Sequence, residues 1–168
     1  GDSKTIEKLR ISSVDILHPQ ALREALDDAD IIVHLAAATS VSGSMENPAD
    51  DFQINSIGTF NLLEAARLKP RRKIVFASSV SGFSANEKVC ETTLPAPLSP
   101  YGASKLHGEY LCKAWSHSFD LRVAVMRLTN AYGPEFFSNH GVVSEAMRSA
   151  VAGSSFKLYG SGNASRDF

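Results

Sequence analysis

Tyr101 and Lys105 form a Tyr-x-x-x-Lys pair. On a helix, positions i and i+4 share a face, with Cβ atoms ~5–6 Å apart. A tyrosine phenol titrates near ~10, too high for a base at neutral pH. An ammonium fixed one turn away favours the phenolate and would lower that value. The alternative for the pair taken alone is a solvated helix turn. Ser78-Ser79 follows the apolar run Lys73–Ala77. Ligands of open α/β sheets bind just beyond the carboxyl ends of the strands. A serine there can hydrogen-bond the oxygen from which Tyr101 takes a proton; otherwise the two serines are a turn-capping pair.

The elements that must position these groups follow from hydrophobic periodicity. Residues 11–17 read as a short strand and 19–28 as an amphipathic helix with Leu22 and Leu26 on one face. The uninterrupted apolar run 31–37 suits a strand covered on both faces. Residues 46–68 read as one long helix, with Pro48 near its start. Residues 73–77 read as a second buried strand, and 80–99, punctuated by Gly82, Asn86, Pro95 and Pro97, as a loop. Ser99-Pro100 is an N-cap followed by proline at the first helical position, opening a helix over 101–116. A strand over 121–128, a loop over 129–139, a helix over 141–152 capped by Gly153 and a short strand over 156–159 complete the pattern. Strands alternating with helices imply an α/β fold with a mostly parallel sheet.

Composition excludes several classes. The chain has 168 residues, 43% of them apolar and 21% charged, with a net charge of −1. That suits one domain with a core and removes the basic footprint of a nucleic-acid binder. No apolar run reaches the ~20 residues of a membrane helix. The N-terminal stretch lacks the apolar core of a signal peptide. Cys90 and Cys112 show no metal-site spacing; as reduced thiols they fit a cytoplasmic protein.

With these residues in view, the chain resembles an extended short-chain dehydrogenase/reductase of the NAD-dependent epimerase/dehydratase family, which acts on nucleotide sugars. The resemblance is carried by His34-Leu35-Ala36-Ala37, by Asn47-Pro48, and by Asn55 through Ala66. It continues through Phe76-Ala77-Ser78-Ser79, Ser99 through Glu109, Arg127 through Pro134, and Tyr159 through Phe168. It implies Ser79, Tyr101 and Lys105 as the catalytic triad, with Tyr101 as acid/base. It implies NAD or NADP as cofactor, contacted by Asp15, Ile16, Leu35, Ala36, Ala37 and Asn55 as well as by Tyr101 and Lys105. Ser79, Asn130 and Arg166 would hold a nucleotide-sugar substrate, the Arg fork suiting a diphosphate. Gly58 would allow close packing beside Asn55. No metal is implied, and His34 reads as a core histidine rather than a catalyst.

Some family features are missing. No Gly-rich turn precedes Ser79, where the only glycines are Gly1, Gly43 and Gly58, so no loop is built for the cofactor pyrophosphate. The chain resembles the middle of a family member: a single truncated Rossmann-like domain over 1–168, with an incomplete doubly wound sheet. In the order 3-2-1-4-5-6 the missing first strand separates the third from the fourth. The edge of 31–37 would then stand bare. Either 11–17 moves to pair with it, or two chains share the edge. Val80-Ser81 stands where dehydratases carry Asp-Glu, and Phe83-Ser84 where an aromatic-Gly pair usually follows. Three readings result: the catalytic middle of an epimerase that binds NAD poorly by itself, a carbonyl reductase of the same superfamily, or a non-catalytic protein that self-associates. A homodimer is expected, through helices 46–68 and 101–116 or through the sheet edge.

Overall fold

The computed structural model describes residues 10–83, 89–131 and 142–157. These fall into two units, one ending at Arg127 and one beginning at Leu128. In the first, α1 (Pro19–Leu26) leads to β1 (Ile31–His34), α2 (Val41–Glu46), α3 (Pro48–Phe52) and a π-helical turn (Gln53–Ile57). There follow α4 (Gly58–Ala66), β2 (Lys73–Ser79), a 3-10 turn (Val80–Gly82), α5 (Pro100–Phe119) and β3 (Arg122–Leu128), whose last residue opens the second unit.

The three strands lie in the order β1-β2-β3. β1 and β2 run parallel, with Ile31 opposite Lys73 and His34 opposite Phe76. Burial alternates along β2, so Ile74, Phe76 and Ser78 point to one face, as the pleat requires. There Ile74 and Phe76 meet Leu22, Leu62, Leu63, Ala66, Cys112 and Leu121 in one core. Each fully buried Leu or Ile contributes about 1.5–3 kcal/mol. α4 and α5 are joined beyond the core by Trp115, which donates to Glu64 Oε1 (2.9 Å) and meets Phe60 edge-on at 5.6 Å.

The α/β class and the strand and helix order match the sequence reading, with instructive departures. Residues 11–17 form no strand and do not pair with β1. Asp15 Oδ1 instead accepts from the Leu17 N–H (2.8 Å) and Asp15 O from the His18 N–H, a side-chain-stabilised turn. β1 is also shorter than the 31–37 run, and only one of its faces is covered: Ile31 and Val33 are each 58% exposed while Ile32 and His34 are buried. The long helix expected over 46–68 runs unbroken from Pro48 to Ala66 through the π-helical turn, and Asn47 (φ −136°, ψ 77°) separates it from α2. Proline disfavours helical geometry in the residue before it and supplies no N–H. Each piece therefore has its own cap: Ser40 accepts from the Gly43 N–H and Asn47 from the Asp50 N–H.

In the second unit, α6 (Val142–Val151) ends as the sequence predicts. Gly153 adopts φ +63°, and the Ser154 N–H reaches back to Ser149 O (2.9 Å). No strand forms at 156–157; the remainder of that expected strand and Arg166 lie outside the described residues. Among the described residues no helix is long and apolar enough to cross a membrane, and no cluster of potential metal ligands occurs.

Candidate active site

β2 delivers Ser78 and Ser79 to opposite faces of its carboxyl end. Ser78 is buried and donates to Glu109 Oε1 at 2.5 Å. Arg127 closes on the same carboxylate with Nε and Nη2, the latter at 2.9 Å, lies 4.4 Å over the Phe83 ring and donates to Glu91 O. One ion pair thereby ties β2, α5, β3 and the loop beyond Phe83. Ser79 is extended and accepts from the Ser81 N–H at 3.1 Å. It caps the 3-10 turn, donates to Ser81 Oγ (3.1 Å) and lies within hydrogen-bonding reach of the Tyr101 phenol.

The start of α5 is held from three sides. Ser99 Oγ accepts from the Gly102 N–H (3.1 Å) and Pro100 fills the first turn. Ser44 Oγ, from α2, accepts from the Tyr101 N–H (3.1 Å). Gly102 lies so close to the Ser81 carbonyl that a Cβ would fall 2.2 Å from its oxygen. Tyr101 and Lys105 then face inward from successive turns, both buried. Ser79, Tyr101 and Lys105 are thus brought together.

The electrostatics differ from the expectation of a phenol lowered by its neighbouring ammonium. Burial pushes the Tyr101 phenol above its ordinary value, opposed by hydrogen bonding from Ser79 and reinforced by the Asp51 charge. Burial likewise lowers Lys105, opposed chiefly by Asp51. Desolvation penalises both charged forms at once, and the ammonium lies 4.7 Å from the centroid of the Phe76 ring.

Asn55 links this pair to the loop after β1. Its Oδ1 accepts from the Ala38 N–H (2.9 Å), which fixes the amide orientation. Its Nδ2 is within reach of Ala38 O (3.0 Å), Asp51 Oδ1 (3.0 Å) and Ser104 Oγ (3.1 Å). Asn55 thereby anchors the backbone at Ala38, directly after Leu35, Ala36 and Ala37, and Leu35 is 65% exposed. His34 lies beneath. Thr59 donates its hydroxyl proton to Asn55 O (2.6 Å) and so accepts from His34 Nε2 (3.0 Å). This core histidine has its pKa lowered to about 4 by burial first and by Lys105 second.

A pH dependence follows. Between pH 6.5 and 4 the unfolded chain binds a proton at His34 that the fold refuses, so this stability is present above 6.5 and lost as pH falls. By pH 5 the loss is about 2 kcal/mol. Urea unfolding at pH 7 and pH 5 should show it, and His34→Gln should flatten that part of the slope. An equal slope in both proteins would reject the assignment.

The other expected site residues lie on other segments of the chain. Asp15 is exposed in its turn. Ile16 packs on Gly58, where a Cβ would meet its Cδ1 at 2.4 Å, and its carbonyl accepts from Asn61 Nδ2. Asn130 is exposed in the second unit. Sequence reasoning missed Asp51, Ser44 and Ser104. Asp51 stands four residues before Asn55, a helical spacing that could have flagged it. A groove of about 980 Å³ walled by Glu109, Cys112, Val125 and Arg127 includes none of the triad. Cys90 is exposed and Cys112 buried, both as free thiols.

The residues present fit the nicotinamide-ribose end of a dinucleotide in chemistry. Ala36 and Ala37 are small and not buried, which leaves room for close approach, and Tyr101 and Lys105 supply a phenol and an ammonium on one helix face.

The profile of the NAD-dependent epimerase/dehydratase family matches residues 1–168. A putative UDP-glucose 4-epimerase of Methanocaldococcus jannaschii is 38% identical over 84% of this chain and 48% of its own length. A UDP-glucose 4-epimerase of Mycolicibacterium smegmatis is 35% identical over 83% of this chain and 46% of its own. Among solved structures, the UDP-N-acetylglucosamine 4-epimerase of Methanobrevibacter ruminantium, in complex with UDP-N-acetylmuramic acid, superposes with a TM-score of 0.88. It is 31% identical, over 96% of this chain and 54% of its own. The UDP-glucuronic acid 4-epimerase of Bacillus cereus, with UDP-glucuronic acid and NAD, gives 0.84 at 28% identity, over 95% and 52%. The chain spans about half the length of the relatives it matches. It belongs to the NAD-dependent epimerase/dehydratase family.

Proposed function

We propose that this chain carries the catalytic half of a nucleotide-sugar epimerase. The observation that carries the reading is the convergence of Ser79, Tyr101 and Lys105 at the carboxyl end of β2, with Tyr101 and Lys105 buried. Tyr101 takes the proton of a sugar hydroxyl as the carbon beneath it loses hydride, and returns the proton when the opposite face is reduced. Ser79 hydrogen-bonds the reacting oxygen. Lys105 would hold the ribose of the dinucleotide and would supply positive charge beside the phenol. NAD, when bound, supplies the reversible hydride chemistry. Leu35, Ala36 and Ala37 line its approach, and Asn55 holds that loop. Epimerisation is preferred to elimination because Val80-Ser81 offers neither acid nor base directly after Ser79. Self-association through α3, α4 and α5 is supported by Phe52, Phe60 and Phe119, which stand 49%, 37% and 38% exposed on them.

The test is interconversion of UDP-glucose and UDP-galactose. It is run on the chain with added NAD and on a chimera in which it replaces the matching half of a UDP-glucose 4-epimerase relative. Weak saturable NAD binding by the chain and clear turnover by the chimera are expected. A folded chimera that binds NAD and a UDP-sugar but turns over neither sugar would reject the reading.

A further inference from the structure

Asp51 is a buried acid that the reaction as described does not use. It is 3% exposed. One carboxylate oxygen accepts from Asn55 Nδ2; the other, Oδ2, has no hydrogen-bond partner among the described residues. A buried carboxylate half-satisfied in this way costs stability, and such exceptions call for an explanation in the site they serve.

We propose that Asp51 is a positioning residue for the Tyr101–Lys105 pair: its carboxylate fixes the Asn55 amide that ties the loop after β1 to α5, and its charge balances the buried Lys105 ammonium. This inference rests on the reading of Tyr101 and Lys105 as the reacting pair. The geometry supports it in two ways. Asn55 Nδ2 has two protons, and its acceptors are Asp51, Ala38 O and Ser104 Oγ; Ser104 in turn donates to Tyr101 O (3.0 Å). The carboxylate is thus the anionic end of a chain of contacts reaching Tyr101's own backbone. Asp51 also follows Asn47-Pro48 within α3 and stands just before the π-helical turn, a local irregularity found often at functional sites.

The charged and titratable groups facing the pair come from every side. Asp51 comes from α3, His34 from β1, and Glu109 and Cys112 from further along α5. The Asp51 charge favours the Lys105 ammonium and opposes the Tyr101 phenolate. The Asp51 charge thus works against the desolvation that lowers Lys105 and together with the desolvation that raises Tyr101.

The chain itself, without NAD or sugar nucleotide, provides the test. Tyrosine ionisation is followed by ultraviolet absorbance, and the Tyr101 component is the one missing from Tyr101→Phe. In Asp51→Asn, which keeps the shape and a hydrogen-bonding group, that component should move to lower pH. An unchanged midpoint in folded Asp51→Asn overturns the proposal. Should that variant not fold, the wild-type Asp51 carboxyl carbon is followed by NMR. Its resonance should shift as Tyr101 ionises, and a flat resonance across that step overturns the proposal equally. Neither measurement reads turnover, so failure of the epimerase assignment and failure of the Asp51 role are separate outcomes.

Discussion

Replacing Tyr101 by phenylalanine lowers turnover of the chimera by ~10²–10⁴-fold, the range for a positioned acid/base. The ring is retained, so the packing around a residue 9% exposed is kept. Only the oxygen is lost, together with its interaction with Ser79. A lost hydrogen bond of that kind costs about 1 kcal/mol, a shift of ~2–4 °C in melting temperature for a domain of this size. The two effects are therefore separable in one experiment. The pH profile adds a second mark. Burial holds the phenol above its ordinary value, so base catalysis by the wild type should rise with pH through the neutral range. Tyr101→Phe should remove that rise along with the rate. Activity within tenfold of wild type would mean that another group moves the proton.

Much of this site could be read from residue order. Ser99-Pro100 marks where α5 begins, and the i, i+4 rule alone puts Tyr101 and Lys105 on one face. Apolar runs placed β1, β2 and β3. The failures share a physical cause: each depended on a partner distant in sequence. Ile11, Val14 and Ile16 lie within a stretch that passes for a strand, but a strand needs a ladder neighbour. Here Asp15 turns the backbone and Ile16 wedges against Gly58 instead. The 46–68 stripe is helical throughout, yet whether a proline opens one helix or separates two depends on capping by Ser40 and Asn47. The sign of the Tyr101 shift depends on burial, which spacing does not carry. Spacing gave the ammonium and the phenol; the core beneath them decided that desolvation outweighs their attraction. Asp51 illustrates the same point. Its relation to Asn55 is local, but its effect on Lys105 exists only because α3 and α5 pack together.

Gly102→Ala tests how tightly the two halves of the triad are joined. Helix propensity alone favours alanine over glycine by about 1 kcal/mol at an interior position. The structure reverses that sign. The new methyl would stand 2.2 Å from the Ser81 carbonyl oxygen and 3.0 Å from its carbon. Neither partner yields easily: Ser81 is in a turn capped by Ser79, and Gly102 is bonded to Ser99. Overpacking of this kind costs ~1–3 kcal/mol or more, and a contact made by backbone belongs at the upper end. The net expectation is a loss of about 2 kcal/mol, or ~5 °C in melting temperature. Relief of the clash must also separate the start of α5 from the end of β2, which carries Tyr101 away from Ser79. A misplacement of about 1 Å between reacting groups costs up to ~10²-fold in rate, so turnover should fall well beyond what the stability loss explains at a temperature where both proteins are folded. A Gly102→Ala protein that melts at or above the wild type would show that the close approach of helix and turn is not required, and with it would go the claim that the Tyr101–Ser79 spacing is set there.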